Sequence, residues 1–279
     1  MPNTAREILT PAAAAISDQE FAHFKRFIFE AAGITLGDNK KQLVSSRLGS
    51  RVAFHGFGTF AEYFRLLNSD EAGAEVQIAI DLLTTNETYF FREPRHFEFL
   101  EKQLDALPAR QQPVRIWSAA GSTGEEAYSI AMLLEDRFPG RPWEIVASDI
   151  SSRVLDRARA GHYPMERARH VPREYLQRFC LKGTGKQQDT LLVDRALRSK
   201  VTFLQINLND RLPAIGTFDF VFLRNVLIYF NPETKRSVVA RALSVLRPGA
   251  WLFIGHSETL NGISDAVKAI APAIYQKLE

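Results

Sequence analysis

Apolar residues in the first third of the chain recur with the period of an α-helix. Ser17 and Glu20 form a capping-box pattern, apolar side chains follow at helical spacing, and Gly33 marks a stop. Three further segments show the same period. The four predicted helices cover residues 17–32, 38–54, 59–67 and 72–83. Together they predict a small all-helical N-terminal domain over residues 1–83.

After a further predicted helix at 94–107, short apolar runs alternate with helical segments. The predicted strands are residues 114–118, 143–148, 201–205, 218–223 and 250–254, with a last, antiparallel edge strand in 271–278. This alternation predicts an α/β domain over residues 95–279, built on a mostly parallel sheet with helices on both faces. Ligands in this architecture bind at the carboxyl ends of the strands.

The alternation is interrupted between about residues 161 and 200. Two short extended runs, 177–181 and 190–193, flank a turn that contains Gly183 and Gly185. The pattern favours an antiparallel hairpin, although an ordinary surface loop explains it equally well. We therefore expect an inserted β-subdomain at about residues 170–200.

Composition excludes several classes of protein. The 279 residues are 46% hydrophobic, carry a formal charge of +3 and contain no basic run interleaved with aromatics, which argues against nucleic-acid binding. Cys180 is the only cysteine and has no Cys or His companion at zinc spacing, so we expect a reduced, cytoplasmic setting and no metal. Neither a signal-peptide pattern nor an apolar run long enough to cross a bilayer is present, so we expect no membrane insertion.

Candidate chemistry is concentrated where the first predicted strand meets its helix. Two glycines, Gly121 and Gly124, lead into a helix that begins with Glu125 and Glu126. Their spacing is not that of a dinucleotide site, and two carboxylates at a helix N-terminus repel phosphate, so a ligand without phosphate is favoured. Asp149 ends the second strand, where an acidic side chain accepts both hydroxyls of a ribose. These features predict a site for an adenosyl donor, S-adenosylmethionine.

Polar residues follow two more strands. Asn207 is positioned to read the edge of adenine, with Leu208 packing on the ring. Arg224 and Asn225 follow the buried run 218–223 and are either caps for the next helix or site residues. Their coincidence with the other strand ends favours the site.

The segment that joins the two predicted domains, residues 84–94, is unlike an ordinary linker. It combines hydrogen-bonding side chains with three consecutive aromatics and an arginine. We interpret it as a linker that forms one wall of the active site.

Five ordered motifs resemble those of the CheR family, the bacterial chemoreceptor glutamate methyltransferases. They are Thr85–Arg92, Ser122–Ser129, Ala147–Ile150, Arg224–Phe230 and Gly255–Glu258. The resemblance covers nearly the whole chain, although Ala127 stands where the family often has proline and Leu223 where cysteine is frequent. It implies an S-adenosylmethionine-dependent methyltransferase fold, Rossmann-like with a mostly parallel seven-stranded sheet, and protein-glutamate O-methyltransferase activity. The implied acceptors are γ-carboxylates on the cytoplasmic helices of methyl-accepting chemoreceptors.

The resemblance also implies which residues line the donor site: Asn86, Thr88, Arg92, Glu126, Asp149, Asn207, Leu208, Arg224 and Asn225. Arg92 and Tyr229 are the predicted catalytic residues and would face the transferred methyl. His256 lies beside Ser257 and Glu258, but without a nucleophile elbow we interpret it as a structural histidine at a strand end.

Two surfaces are expected to meet partners. Lys40, Arg47 and Arg51 form a basic stripe on the second helix, for which a solvated face is the commoner explanation. Within the resemblance the stripe becomes a docking surface for the receptor helix. The hairpin at 183–185 resembles the part of some family members that holds a receptor C-terminal tail peptide by strand addition. We expect the protein to be a monomer.

Two alternative functions remain open. One is methylation of some other carboxylate or protein side chain by the same fold. The other is a regulatory module that binds the donor, has lost catalysis and signals through partners. The intact set of Asn86, Arg92, Asp149 and Tyr229 argues against the regulatory module.

Overall fold

The computed structural model describes residues 15–107 and 112–279. The chain divides into two compact units, with the boundary between Thr85 and Asn86. The first fourteen residues of the predicted N-terminal domain lie outside the described residues.

Four helices form the first unit: α1 (Asp18–Ala32), α2 (Lys41–Phe54), α3 (Phe60–Leu67) and α4 (Glu75–Leu83). Ser17 and Glu20 make the predicted capping box, and Gly33 ends α1 with a φ of 73°. The second predicted helix differs at its start, because residues 38–40 form a 3₁₀ turn before α2. Fully buried apolar side chains at helical spacing, such as Phe24 and Leu48, form the core.

The second unit alternates helices with strands. Its helices are α5 (Pro94–Ala106), α6 (Glu125–Arg137), α7 (Ser152–Ala160), α8 (Arg173–Phe179), α9 (Arg195–Arg198) and α10 (Pro232–Ser244). Its strands are β1 (Val114–Ser118), β2 (Trp143–Asp149), β3 (His162–Pro164), β4 (Cys180–Lys182), β5 (Thr190–Val193), β6 (Val201–Gln205), β7 (Phe218–Leu223), β8 (Leu246–Ile254), β9 (Val267–Ala271) and β10 (Ile274–Lys277).

Seven strands form one sheet in the order β6-β2-β1-β7-β8-β10-β9. The neighbours from β6 to β8 are parallel, and β10 is antiparallel to both β8 and β9. All six residues of β7 are buried, as expected for a central strand covered on both faces. The predicted mostly parallel α/β sheet is confirmed.

The predicted edge strand at the C-terminus is wrong in one respect. The strand at 274–277 is antiparallel as expected, but it lies inside the sheet between β8 and β9. The edge is β9, whose three central residues are exposed, whereas Ile274 and Tyr275 of β10 are buried. We did not predict β9, because its sequence lacks the apolar–polar alternation of a half-buried strand.

The predicted inserted β-subdomain is confirmed as an antiparallel sheet of order β3-β5-β4. It has one strand more than the predicted hairpin, since the short β3 pairs with β5. The first extended run begins at Cys180, because residues 177–179 form the end of α8.

The strands β1, β2, β6 and β7 run parallel, so their carboxyl ends meet at one edge of the sheet. That edge carries most of the predicted site residues. In the part of the chain that the structure describes, no helix is both long and apolar enough to cross a membrane.

Candidate functional site

The loop from β1 to α6 is held in a tight conformation. Gly124 has a φ of 93°, and a Cβ there would lie 2.9 Å from the Cβ of Ala158 and 3.0 Å from the hydroxyl of Tyr163. Only glycine meets both conditions. The Gly121 N–H donates to the carbonyl of Ser148 at 2.8 Å, which fixes the loop to the end of β2.

Asp149 orients this loop. One carboxylate oxygen accepts the Ser122 N–H at 3.0 Å, and the other accepts the Ser151 N–H at 3.0 Å. Ser122 has a φ of 50°, a strained conformation that this hydrogen bond helps to stabilise. The Asp149 carboxylate is therefore fixed in direction at the carboxyl edge of the sheet, and its contact with a ribose stays a prediction.

Arg224, at the end of β7, connects three segments. Its guanidinium lies 2.8 Å from Glu126 on α6 and 3.1 Å from Glu93 at the start of α5, and it donates a hydrogen bond to the carbonyl of Arg92. Ser118, the last residue of β1, donates its hydroxyl to Glu126 at 2.7 Å. The Arg224 side chain is 2% exposed. Two carboxyl groups thus face one buried guanidinium.

The two carboxylates respond differently to this environment. Burial raises the pKa of Glu126, against the opposing effects of Arg224 and Ser118. Burial also acts to raise the pKa of Glu93, but Arg224 and the hydrogen bonds from His256 and Asn225 outweigh it, so the net pKa is lowered.

Several buried polar atoms of this cluster make no hydrogen bond to any part of the described chain. They are Arg224 Nε, Glu93 Oε2 and both ring nitrogens of His96. His96 is fully buried, and burial together with the nearby Arg224 lowers its pKa to about 3. The imidazole is therefore neutral at pH 7.

The linker from Asn86 onward belongs to the second unit, and its main-chain carbonyls accept several hydrogen bonds there. The carbonyl of Asn86 accepts the Ser122 hydroxyl at 3.0 Å, and the carbonyl of Thr88 accepts a hydrogen bond from Arg167 at 2.6 Å. The half-buried Arg92 side chain donates to the Glu87 carbonyl at 2.7 Å.

Backbone strain is concentrated near these residues. Six described non-glycine residues have a positive φ, and four of them belong to the linker or to the strand-end loops: Phe91, Glu93, Ser122 and Asn225. Such strain persists only where the surrounding contacts over-determine it, and it is typical of functional sites.

The loop after β7 carries Asn225 and Tyr229. Asn225 donates its N–H to Glu258 at 3.0 Å and its side-chain amide to Glu93 at 3.3 Å. Tyr229 ends the 3₁₀ turn that begins at Leu227, and it is half-buried. Glu258 also accepts the N–H groups of Gly255 and Ile228. This carboxylate therefore holds the loops after β7 and β8 together.

Asn207 has a local role that sequence reasoning missed. Its amide donates to Asp210 at 2.9 Å, and its side-chain oxygen accepts the Asn209 N–H at 3.0 Å. Leu208 is buried, and its carbonyl accepts a hydrogen bond from Arg241 at 2.8 Å. The turn after β6 is thus rigid, and contact with adenine stays a prediction.

The basic stripe is not a plain solvated helix face. Arg51 makes two hydrogen bonds to Glu75, at 2.7 and 2.6 Å, and Arg47 donates to the carbonyls of Leu83 and Thr84 at 2.9 and 3.0 Å. Both arginines therefore stabilise the helical unit. Lys40 is the exposed member of the stripe.

The structure places five of the predicted site residues in two bonded groups. Asn86 and Asp149 both bond to Ser122, and Glu126, Arg224 and Asn225 are joined through Arg224 and Glu93. The positioning roles of Glu93, Glu258 and Ser118 were missed. Glu93 and His96 stand in a Glu-x-x-His pattern at the start of a helix, which was a readable signal. The contacts of Glu258 are to backbone groups distant in sequence, and no pattern reveals them.

Comparison with known proteins agrees with this architecture. The CheR methyltransferase SAM-binding domain matches residues 86–275, and the CheR methyltransferase all-alpha domain matches residues 19–84. The chain is 42% identical over 260 residues to chemotaxis protein methyltransferase 2 of Pseudomonas aeruginosa, covering 92% of each chain. It is 41% identical over 265 residues to the chemotaxis protein methyltransferase of Escherichia coli, covering 94% of this chain and 91% of that one. With both domains matched in order and such identity over most of its length, the chain belongs to the CheR methyltransferase family.

Proposed function

We propose that this protein transfers a methyl group from S-adenosylmethionine to the γ-carboxylates of glutamates on the cytoplasmic helices of chemoreceptors. The products are glutamate methyl esters and S-adenosylhomocysteine. The observation that carries the proposal is the convergence of Glu126, Asp149 and Arg224 on the carboxyl edge of the sheet, in a chain of this family.

The residues at this edge fit the donor. Asp149 offers an oriented carboxylate to the ribose hydroxyls. Glu93 and Glu126 face a single guanidinium, and acidic groups at this position suit a ligand that carries an ammonium and a sulfonium group. The same acidic groups disfavour a phosphate-bearing cofactor at the N-terminus of α6. The remaining donor-site residues in this proposal are Asn86, Thr88, Arg92, Asn207, Leu208 and Asn225.

The methyl-transfer reaction requires little proton transfer by the protein. A glutamate side chain is ionised at pH 7, so the nucleophile needs no general base. The bound donor supplies an electrophilic methyl group. The protein's task is to exclude water and to align the acceptor oxygen with that methyl, because attack joins opposite charges into neutral products.

Arg92 and Tyr229 are the proposed catalytic residues. A tight ion pair between Arg92 and the acceptor would stabilise the ground state and slow the reaction. We therefore assign Arg92 to the donor's carboxylate or to a loose hold on the acceptor. Its hydrogen bond to the Glu87 carbonyl keeps the guanidinium on the linker without neutralising its charge. Tyr229 orients the reacting groups through its hydroxyl.

Receptor recognition is assigned to two surfaces. The exposed Lys40, beside Arg47 and Arg51, would attract acidic residues of a receptor helix. In the β-subdomain, β4 is an edge strand of its sheet, and Leu181 on it is 56% exposed, which suits addition of a tail peptide as a further strand. Titration with receptor C-terminal peptides tests the second surface, and absence of any binding would rule it out.

Two measurements separate the proposal from its alternatives. We expect S-adenosylhomocysteine to bind in calorimetric titration, and receptor fragments to accept a labelled methyl group. Donor binding without transfer would instead identify a regulatory module. Transfer that ignores receptor fragments but labels other proteins would identify a methyltransferase with a different acceptor.

A further inference from the structure

Three side chains with metal-ligating atoms meet at the start of α5, beside the Arg224 cluster. They are Glu93, His96 and His256, and one ligand atom from each lies within 4.8 Å of the others. Glu93 Oε2 is 3.4 Å from His96 Nδ1 and 3.8 Å from His256 Nε2. Ligand atoms bound to one tetrahedral zinc ion at about 2.1 Å lie roughly 3.4 Å apart, so small side-chain rotations suffice to close the site.

The buried histidine needs an explanation. His96 is 0% exposed, yet neither of its ring nitrogens makes a hydrogen bond within the described chain, and Glu93 Oε2 has ion-pair contacts, including Arg224 at 3.1 Å, but no hydrogen bond. A buried polar group without a partner is costly, and such groups are uncommon in native proteins. A cation between these atoms would satisfy the carboxylate and the imidazole together.

We propose that Glu93, His96 and His256 form a binding site for a divalent transition metal of the zinc class. Carboxylate and neutral imidazole are ligands for such ions. His256 is 48% exposed and lies beside a cavity of about 280 Å³, which gives a hydrated ion access. Water fills the fourth position.

The surrounding charge permits a cation. Arg224 faces Glu93 at 3.1 Å, but it also faces Glu126, so two carboxylates share one guanidinium. A bound metal would tie the start of α5 to the loop after β8. It would also compete with Arg224 for Glu93, which links the metal site to the candidate donor site.

The test uses the full chain without a polyhistidine tag, dialysed against a chelator. We expect calorimetric titration with zinc chloride to show one saturable site, and cobalt chloride to give visible absorption typical of tetrahedral coordination. His256→Ala should weaken zinc binding at least tenfold. The matched control His162→Ala removes another exposed histidine, in the β-subdomain, and should leave the affinity unchanged.

A second readout does not depend on the heat of binding. Zinc at about a hundredfold excess over its Kd should raise the Tm by roughly 5 °C in the wild type and in His162→Ala, but by no more than about half as much in His256→Ala. Without metal the Tm of His256→Ala should equal that of the wild type, because this side chain is half exposed. The proposal is overturned if about 100 µM zinc gives no saturable binding, or if His256→Ala binds zinc as well as the wild type does.

Discussion

Arg51 in the helical unit and Arg224 in the second unit both lie against buried carboxylates, but the two clusters differ in how completely they are bonded. Glu75 accepts two hydrogen bonds from Arg51 and one from Tyr63 at 2.7 Å. None of these three side chains has a buried polar atom without a partner in the described chain. Around Arg224, by contrast, a guanidinium nitrogen and one oxygen of Glu93 are buried without a hydrogen bond.

Complete hydrogen bonding of the buried polar atoms distinguishes a structural cluster from a functional one. A closed cluster has no bonding capacity left for a ligand, so its effect is on folding stability. An open cluster with strained backbone around it retains that capacity, and its unpaired atoms have a cost that evolution tolerates where function needs them. We therefore expect substitutions in the Arg51 cluster to change stability but not donor binding, and substitutions around Arg224 to change both.

The largest effects are expected for the matched substitutions Arg51→Met and Arg224→Met, which should both lower stability but should differ in donor binding. Each leaves buried carboxylate charge uncompensated, which typically costs about 3–5 kcal/mol, with Arg224→Met at the upper end because two carboxylates lose their partner. Scanning calorimetry checks the stabilities. Titration with S-adenosylhomocysteine should show affinity close to the wild type for Arg51→Met and none for Arg224→Met. Equal affinities in the two variants would contradict the distinction.

The pH dependence of folding stability tests the structural role of the Arg51 cluster. Burial acts to raise the pKa of Glu75, but hydrogen bonds from Arg51, Tyr63 and His55 outweigh it and lower the pKa to about 2, from an ordinary value of 4.5. Because the folded pKa is depressed, the stabilisation is fully present above pH 4.5 and is lost as the pH falls toward 2. It amounts to about 3 kcal/mol at pH 7.

Unfolding by urea at pH 7, 4 and 3 measures this contribution. Glu75→Gln should lose less stability between pH 7 and pH 3 than the wild type does, whereas the control Glu30→Gln, at an exposed position, should lose as much as the wild type. A Glu75→Gln variant with the acid sensitivity of the wild type would show that the cluster is not the source.

Substitution of Arg92 tests the proposed catalytic role of the site in the second unit. Its half-buried side chain makes one hydrogen bond to a backbone carbonyl, so Arg92→Ala should leave the protein folded. Loss of its positioning role should lower methyl transfer at least tenfold, equivalent to about 1.4 kcal/mol or more in the barrier. A tritiated-methyl assay checks the rate, with Arg169→Ala as an exposed control. Near-normal transfer by Arg92→Ala would remove this residue from the catalytic site.

The smallest expected effect is at Asn207. If its amide also reads the edge of adenine, Asn207→Ala should weaken binding of S-adenosylhomocysteine about fivefold, the value of one neutral hydrogen bond. Adenosine should lose affinity by the same factor, because the contact is to the base. Unchanged affinity for both ligands would limit Asn207 to its turn with Asp210.

The outline of the fold and the position of the site could be predicted from local sequence patterns. Helical period predicted α1 and α3, a capping box marked the start of α1, and strand–helix alternation placed Asp149 and Arg224 at one edge. The positions of β9 and β10 in the sheet could not be predicted, because they depend on pairing between strands rather than on either strand's own sequence. The contacts of Glu258 are to backbone groups far apart in the chain, so local patterns carried no information about its role, and the local Glu-x-x-His pattern around Glu93 did not reveal its ion pair with Arg224.

The most direct test of the proposed function is transfer of tritiated methyl from S-adenosylmethionine to purified receptor cytoplasmic fragments, followed by mild alkali. Methyl esters of carboxylates hydrolyse under these conditions and release volatile methanol. We expect the wild-type protein to label the fragments with alkali-labile methyl, and Arg224→Met to give none. Alkali-stable label, or donor binding with no transfer to any receptor fragment, would contradict the assignment as a receptor glutamate methyltransferase.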